Sequence, residues 1–269
     1  MKKQLLVFLV AAATLFTAIE ANAQRYLTEV FSNITVTQNI IYGNNFSIFP
    51  PTSPGFIDLT MDVYEPAGDV LPQRPLIIFM HTGSFLPRYI NETPTGSRND
   101  SATVEICSRF ARRGYVVANI DYRLGWNPAG SNVDIRRGTI LQAIYRALQD
   151  AKACVRHFRA DAAMTNTYKI DTNMVILGGQ GTGGYIAINY GVLDDPAEIT
   201  LPKFISGITD PTYGFVAGQP YVNQSVLGDY DGYGGLPQFN NPNNSPGYSN
   251  DIQFAFNLGG AMGDSSWIG

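Results

Sequence analysis

The sequence predicts an α/β fold, a mainly parallel central sheet with helices on both faces. Three observations carry this. Strand-like and helix-like segments alternate along the chain, as in folds with a parallel sheet. Residues 75–80 and 115–120 are apolar almost throughout, as strands covered on both faces must be. Between them and beyond, apolar residues recur at helical spacing, above all Ile140, Ile144, Ala147, Ala151, Val155 and Phe158.

In chain order, Met1-Lys2-Lys3 is a positive start, residues 5–19 are mostly apolar, and Ala21-Asn22-Ala23 is an A-x-A cleavage site. This is the layout of a secretory signal peptide over residues 1–23, with Gln24 the first mature residue. It places the protein outside the cytoplasm, secreted, periplasmic or at the cell surface. No later stretch approaches the ~20 apolar residues of a spanning helix. Residues 24–269 then form one large domain.

Ile34, Val36 and Ile40 suggest a first strand. Residues 57–64 alternate apolar and polar, the pattern of a half-buried strand near a sheet edge. Glu65-Pro66-Ala67-Gly68-Asp69 is a turn. Residues 101–113 read as a helix, with Asp100 or Ser101 as N-cap, arginines in the last turn and Gly114 as C-cap. A long helix spans 134–161. Residues 173–177 are a strand, 182–190 a helix and 252–258 a further strand. From Gly191 to Asp251 about sixty residues are rich in Asn, Gly, Pro and Tyr. A loop of that length is functional or poorly ordered, and its position suggests a cover over a site; a disordered surface insertion is the other reading.

Formal net charge is −4 and no basic block occurs, so nucleic acid is not an expected partner. Cys107 and Cys154 lie on apolar helix stripes and read as buried free thiols; export would also permit a disulfide. Asp229-Tyr230-Asp231-Gly232-Tyr233-Gly234 has the outline of a calcium loop, but Asn240 stands where a bidentate acid is needed. No metal or other cofactor is expected.

The chemistry concentrates in two segments. Gly179-Gln180-Gly181-Thr182-Gly183 follows an apolar strand and opens a helix. That is the layout of the G-x-S-x-G nucleophile elbow, with Gly181 at the serine position. About a hundred residues earlier, His81-Thr82-Gly83-Ser84-Phe85 follows the buried strand 75–80. Together with Asp121-Tyr122-Arg123-Leu124, Asp150-Ala151-Lys152 and Gly259-Gly260-Ala261-Met262-Gly263-Asp264, these segments resemble the esterase/lipase, carboxylesterase-like branch of the α/β-hydrolase family in order and spacing. The resemblance covers roughly residues 30–269.

It implies that Thr82, Gly83, Ser84, Gln180 and Thr182 line an oxyanion pocket for a small-molecule ester. It also implies that acyl-ester hydrolysis is the ancestral activity. Gly181 has no hydroxyl, so the family's acyl-enzyme cannot form there. Thr182 in the family supplies its backbone N–H, not a nucleophile. Neither histidine fits the base: His81 opens the oxyanion loop and His157 lies mid-helix, while the family's chain order puts the base after the nucleophile. Asp264 reads as structural or substrate-facing, and Trp267 as pocket-lining. The sheet's C-terminal strands are expected to be missing from this sequence, as in a fragment. The expectation is an exported esterase-like homologue that is inactive as it stands. The alternative is a pseudo-hydrolase used as a ligand-binding or surface-display module.

Overall fold

The computed structural model describes residues 24–268, so the signal-peptide reading of residues 1–23 lies outside the described residues. Six strands form one mixed sheet: β1 (Ile34–Ser47), β2 (Gly55–Pro66), β3 (Arg74–Met80), β4 (Val116–Ile120), β5 (Ile170–Gln180) and β6 (Phe254–Leu258). Their order is β1-β2-β4-β3-β5-β6. The first three of these neighbours pair antiparallel, β1 with β2 and β2 with β4. From β4 through β3 and β5 to β6 all pairing is parallel. Three main helices connect them: α1 (Ser101–Arg112), α2 (Val133–Met164) and α3 (Thr182–Val192).

The pleat explains why the helices cover both faces. Successive side chains of a strand point to opposite sides. Leu76, Ile78 and Met80 of β3, with Val116, Ala118 and Ile120 of β4, join one apolar cluster with α2 and α3 residues such as Ala147, Ala151, Phe158 and Ile186. Ile77, Phe79 and Val117 face the other way, against Cys107 and Ala111 of α1. The continuous apolar runs are therefore double-sided strands. Cys107 and Cys154 belong to opposite clusters and are both free and buried, which overturns the disulfide alternative.

β2 is more buried than a strand near a sheet edge would be. It lies one strand in from the β1 edge, and its second half is buried. Of the polar residues in the alternation, Asp58 is exposed and Thr60 half-buried, but Asp62 is only 2% exposed. It accepts from the Asn39 N–H at 2.9 Å and pairs with Arg98 Nε at 3.1 Å, so at this position the alternation marks a buried polar anchor. At α1 the sequence cap is half right. Asp100 stands at the N-cap position but makes no capping bond; its carboxylate accepts instead from the Gly96 and Ser97 N–H groups.

Past the end of α3 at Val192, the rest of the 191–251 segment contains only short helical turns and two isolated bridges. The segment is laid along α2, whose donors recur every three or four residues and capture its carbonyls. Gln142 Nε2 donates to Tyr213 O and Tyr221 O, Tyr145 OH to Gly228 O, and Gln149 Nε2 to Leu227 O and Asp229 O. Arg156 Nε reaches Asn244 O and Arg159 reaches Asp251 O. Buried backbone carbonyls must find donors, and here one helix supplies many of them. The Asp229–Gly234 turn is held the same way. Asp231 pairs with Lys152 Nζ at 2.8 Å, and no three His, Cys, Asp or Glu side chains among the described residues converge as a metal site. No described helix is long and apolar enough to cross a membrane.

Candidate active site

β3 and β5 are parallel neighbours, with Met80 opposite Gly179. The loop after β3 and the turn after β5 therefore emerge side by side at the carboxyl end of the sheet, the usual ligand side of open α/β folds. This brings the two motif segments together from a hundred residues apart.

The turn between β5 and α3 is sharp because of its glycines. Gly181 has φ 54° and ψ −116°, a backbone region costly for any side-chain-bearing residue. A Cβ on Gly179 would lie 2.1 Å from the Gly183 carbonyl, and one on Gly183 would lie 2.1 Å from Met80 O. Only glycine lets α3 start so close to both strands. Gly181 N–H donates to Leu258 O at 2.9 Å and Gly181 O accepts from Tyr185 N, which fixes the turn against β6 and α3.

The facing loop carries its own strain. Gly83 has φ 132°, and Ser84 and Phe85 follow with φ 59° and 51°. Two consecutive non-glycine residues in the left-handed region are uncommon. Several bonds hold them there. Leu86 N donates to Gly83 O, Gly125 N donates to Phe85 O at 2.9 Å, and Asn91 Nδ2 bonds the carbonyls of Gly83, Leu86 and Thr95. Phe85 is fully buried and packs edge-on to Tyr122.

His81 is 1% exposed and stacks on Tyr122, with ring centroids 4.5 Å apart. Its Nδ1 lies 2.5 Å from Thr82 O and its Nε2 3.5 Å from Asp121 Oδ1, so both ring nitrogens are engaged within the scaffold. Burial alone would raise the Asp121 carboxyl. The His81 hydrogen bond and charge, with the Arg98 charge and N–H, outweigh it and hold this group below the usual carboxylate range. Arg98 also bonds Thr60 Oγ1 and Asn39 Oδ1, tying the loop's far end to β1 and β2.

Tyr122 is a site residue to which the sequence reading gave no role. Its hydroxyl donates to His81 O at 2.8 Å and lies 3.0 Å from Thr182 Oγ1, linking the loop to the first residue of α3. The segment Asp121–Leu124 carries the family resemblance, but the role of Tyr122 is not legible there, because its partners are 41 and 60 positions away.

Thr82 and Gly181 meet directly: a Cβ built on Gly181 would lie 2.1 Å from Thr82 Oγ1 and 2.9 Å from Thr82 Cβ. Thr82, Gln180 and Thr182 are half-buried, Gly83 is buried and Ser84 is exposed. Gln180 Oε1 is buried without a partner among the described residues. His157 sits on α2 beside Phe158, where burial lowers its pKa. Asp264 pairs with Lys203 and caps the turn Ser265–Trp267 through the Ser266 N–H at 2.8 Å. Trp267 is 8% exposed and lines a small apolar cavity with Leu141, Leu148 and Phe204.

The sheet order, the strand–turn–helix after β5 and the loop after β3 define an α/β-hydrolase of the esterase kind. The BD-FAE family model matches residues 61–206, more than half of the sequence, and the chain belongs to that esterase family. No curated protein matches it. Among solved structures it is similar to Thermogutta terrifontis esterase 2 phosphonylated by cyclosarin, at 23% identity and a TM-score of 0.40, over 61% of this chain and 49% of that one. Esterase B from Lactobacillus rhamnosis aligns at 21% identity and a TM-score of 0.41, over 72% and 50%. The chain thus spans about half the length of these solved structures.

Proposed function

We propose that the protein is an exported relative of the esterases that holds a small-molecule ester or related ligand without hydrolysing it. The observation that carries this is Gly181 at the tip of the turn between β5 and α3. The family mechanism needs a hydroxyl there to form an acyl-enzyme, and glycine offers none. The neighbouring groups support the same reading. Thr182 Oγ1 is engaged with Tyr122 OH, and both His81 ring nitrogens face Thr82 O and Asp121 instead of an incoming substrate. The strained loop 83–85 is held beside the turn by its own hydrogen bonds. Export rests on the A-x-A pattern at residues 21–23.

The test is turnover of short p-nitrophenyl esters together with labelling by a serine-directed fluorophosphonate. The expected result is no turnover above that of the Gly181→Ala variant and no stoichiometric adduct. Clear turnover, or an adduct mapped to Thr182 or Ser84, would refute the reading.

A further inference from the structure

We infer that Thr82 closes the elbow: its side chain fills the volume that a nucleophile at position 181 would need. The inference rests on the reading of Gly181 as the nucleophile-equivalent residue, and extends it from a missing atom to an occupied space. If serine alone had been lost, a gap would separate the turn from the loop. Instead Thr82 Oγ1 lies 2.1 Å and Thr82 Cβ 2.9 Å from where a Cβ on residue 181 would stand. Rotation about χ1 would move the hydroxyl away but leave the Thr82 Cβ in place. Carbon atoms in contact sit about 3.5–4.0 Å apart, so a side chain at 181 requires the loop backbone itself to retreat.

The loop is poorly placed to do so. On one side of Thr82, His81 O is bonded by Tyr122 OH, and the His81 ring is stacked and paired. On the other side Gly83 already packs against Gly96, where an added Cβ would come within 2.4 Å of Gly96 Cα. Positions 82 and 181 therefore fit each other reciprocally: residue 181 lacks a side chain where residue 82 has one. A ligand seated against the loop meets the Thr82 hydroxyl as a hydrogen-bonding group, not as the family's acyl acceptor. The inference distinguishes a site remodelled for non-catalytic use from one that has merely lost its serine.

A cysteine at position 181 reports on this space without needing a catalytic base. The measurement is the rate of alkylation by iodoacetamide in Gly181→Cys, in Gly181→Cys with Thr82→Gly, and in Gly181→Cys with Thr82→Ser. Cys107 and Cys154 are fully buried and contribute no background in the folded protein. The Thr82→Gly double variant is expected to react about tenfold faster or more than the single variant. Its pH midpoint should fall below that of an ordinary thiol, because residue 181 sits at the N-terminus of α3. The Thr82→Ser double variant keeps the Cβ and should stay slow. Thermal melts of all three accompany the rates. A single variant that unfolds while the Thr82→Gly double variant folds supports the inference equally. Equal rates in all three, or a Thr82→Gly double variant that does not fold, overturn it. Ester turnover by the unaltered protein would sink the functional proposal and leave these rates to be judged separately.

Discussion

Arg123 and Asp150 form an ion pair with neither side chain exposed, joining the loop after β4 to the middle of α2. Arg123 Nε donates to Asp150 Oδ1 at 2.8 Å, and the Arg123 backbone N–H donates to Oδ2 at 2.8 Å. The remaining guanidinium nitrogens reach Phe46 O, Arg146 O and Gln149 Oε1. One arginine thus ties β1, the loop after β4 and α2 into a unit behind the site. Removing one partner of such a pair strands a buried charge. Asp150→Ala is expected to cost about 3–5 kcal/mol in denaturant unfolding. A loss below about 1 kcal/mol, the range of an exposed pair, would show that water reaches this pair.

Gly181→Ala is expected to destabilise the fold by at least about 1–3 kcal/mol, the cost of a side chain in so sparsely populated a backbone region. Glycine's greater unfolded-state entropy works the other way, but by only about 0.5–1 kcal/mol. The contact with Thr82 adds to the loss. An unchanged urea midpoint would mean that the turn is not strained and that residue 181 is not at an elbow.

The acid limb of stability is expected to depend on Asp69. Burial alone would raise its carboxyl, but the Arg25 hydrogen bond, the Leu71 N–H and the charges of Arg25 and Arg74 hold it below the usual range. A depressed carboxyl contributes stability above its unfolded pKa of about 3.9, and that contribution is lost as pH falls through the lower folded value. Asp69→Asn should therefore lower the melting temperature near neutral pH and flatten its decline below about pH 4. Parallel curves for both proteins would exclude Asp69 as a contributor.

Gln149 holds two carbonyls of the 191–251 segment, those of Leu227 and Asp229. Gln149→Ala should loosen that stretch before the sheet. Limited proteolysis is the measurement, with first cuts expected near residues 222–236 and faster than in the unaltered protein. First cuts within β3 or β5 would show that the segment is not a separately opening unit.

The apolar strands, the long helix and the elbow turn were all legible in the sequence because their signals are local: period, glycine spacing and caps. Residues 75–80 declare a strand without knowing their neighbours. What escaped depends on distant partners. Asp62 looked like a solvent position until Arg98 and Asn39 were placed beside it. Tyr122 became a site residue only through His81 and Thr182. Gly181 stood out in the sequence as the missing serine, but its fit with Thr82 was invisible, since their relation is steric and spans a hundred residues. The 191–251 segment read as a cover or a disordered insertion, and its docking along α2 left no sequence signal because α2 recognises backbone carbonyls, which every residue carries.

That last property affects how the surface can change over generations. A segment fastened through its main chain is indifferent to most of its outward side chains, provided the chain keeps its path. The outward side chains of residues 222–236 can therefore be rewritten while the donors on α2 stay constant, whereas buried Val222 and Tyr230 and the Lys152 partner Asp231 cannot. Variation between relatives should gather on the outside of this strap, whereas Gln142, Tyr145 and Gln149 should resist replacement. The protein thus has a face where new recognition can be tried without risk to the sheet beneath.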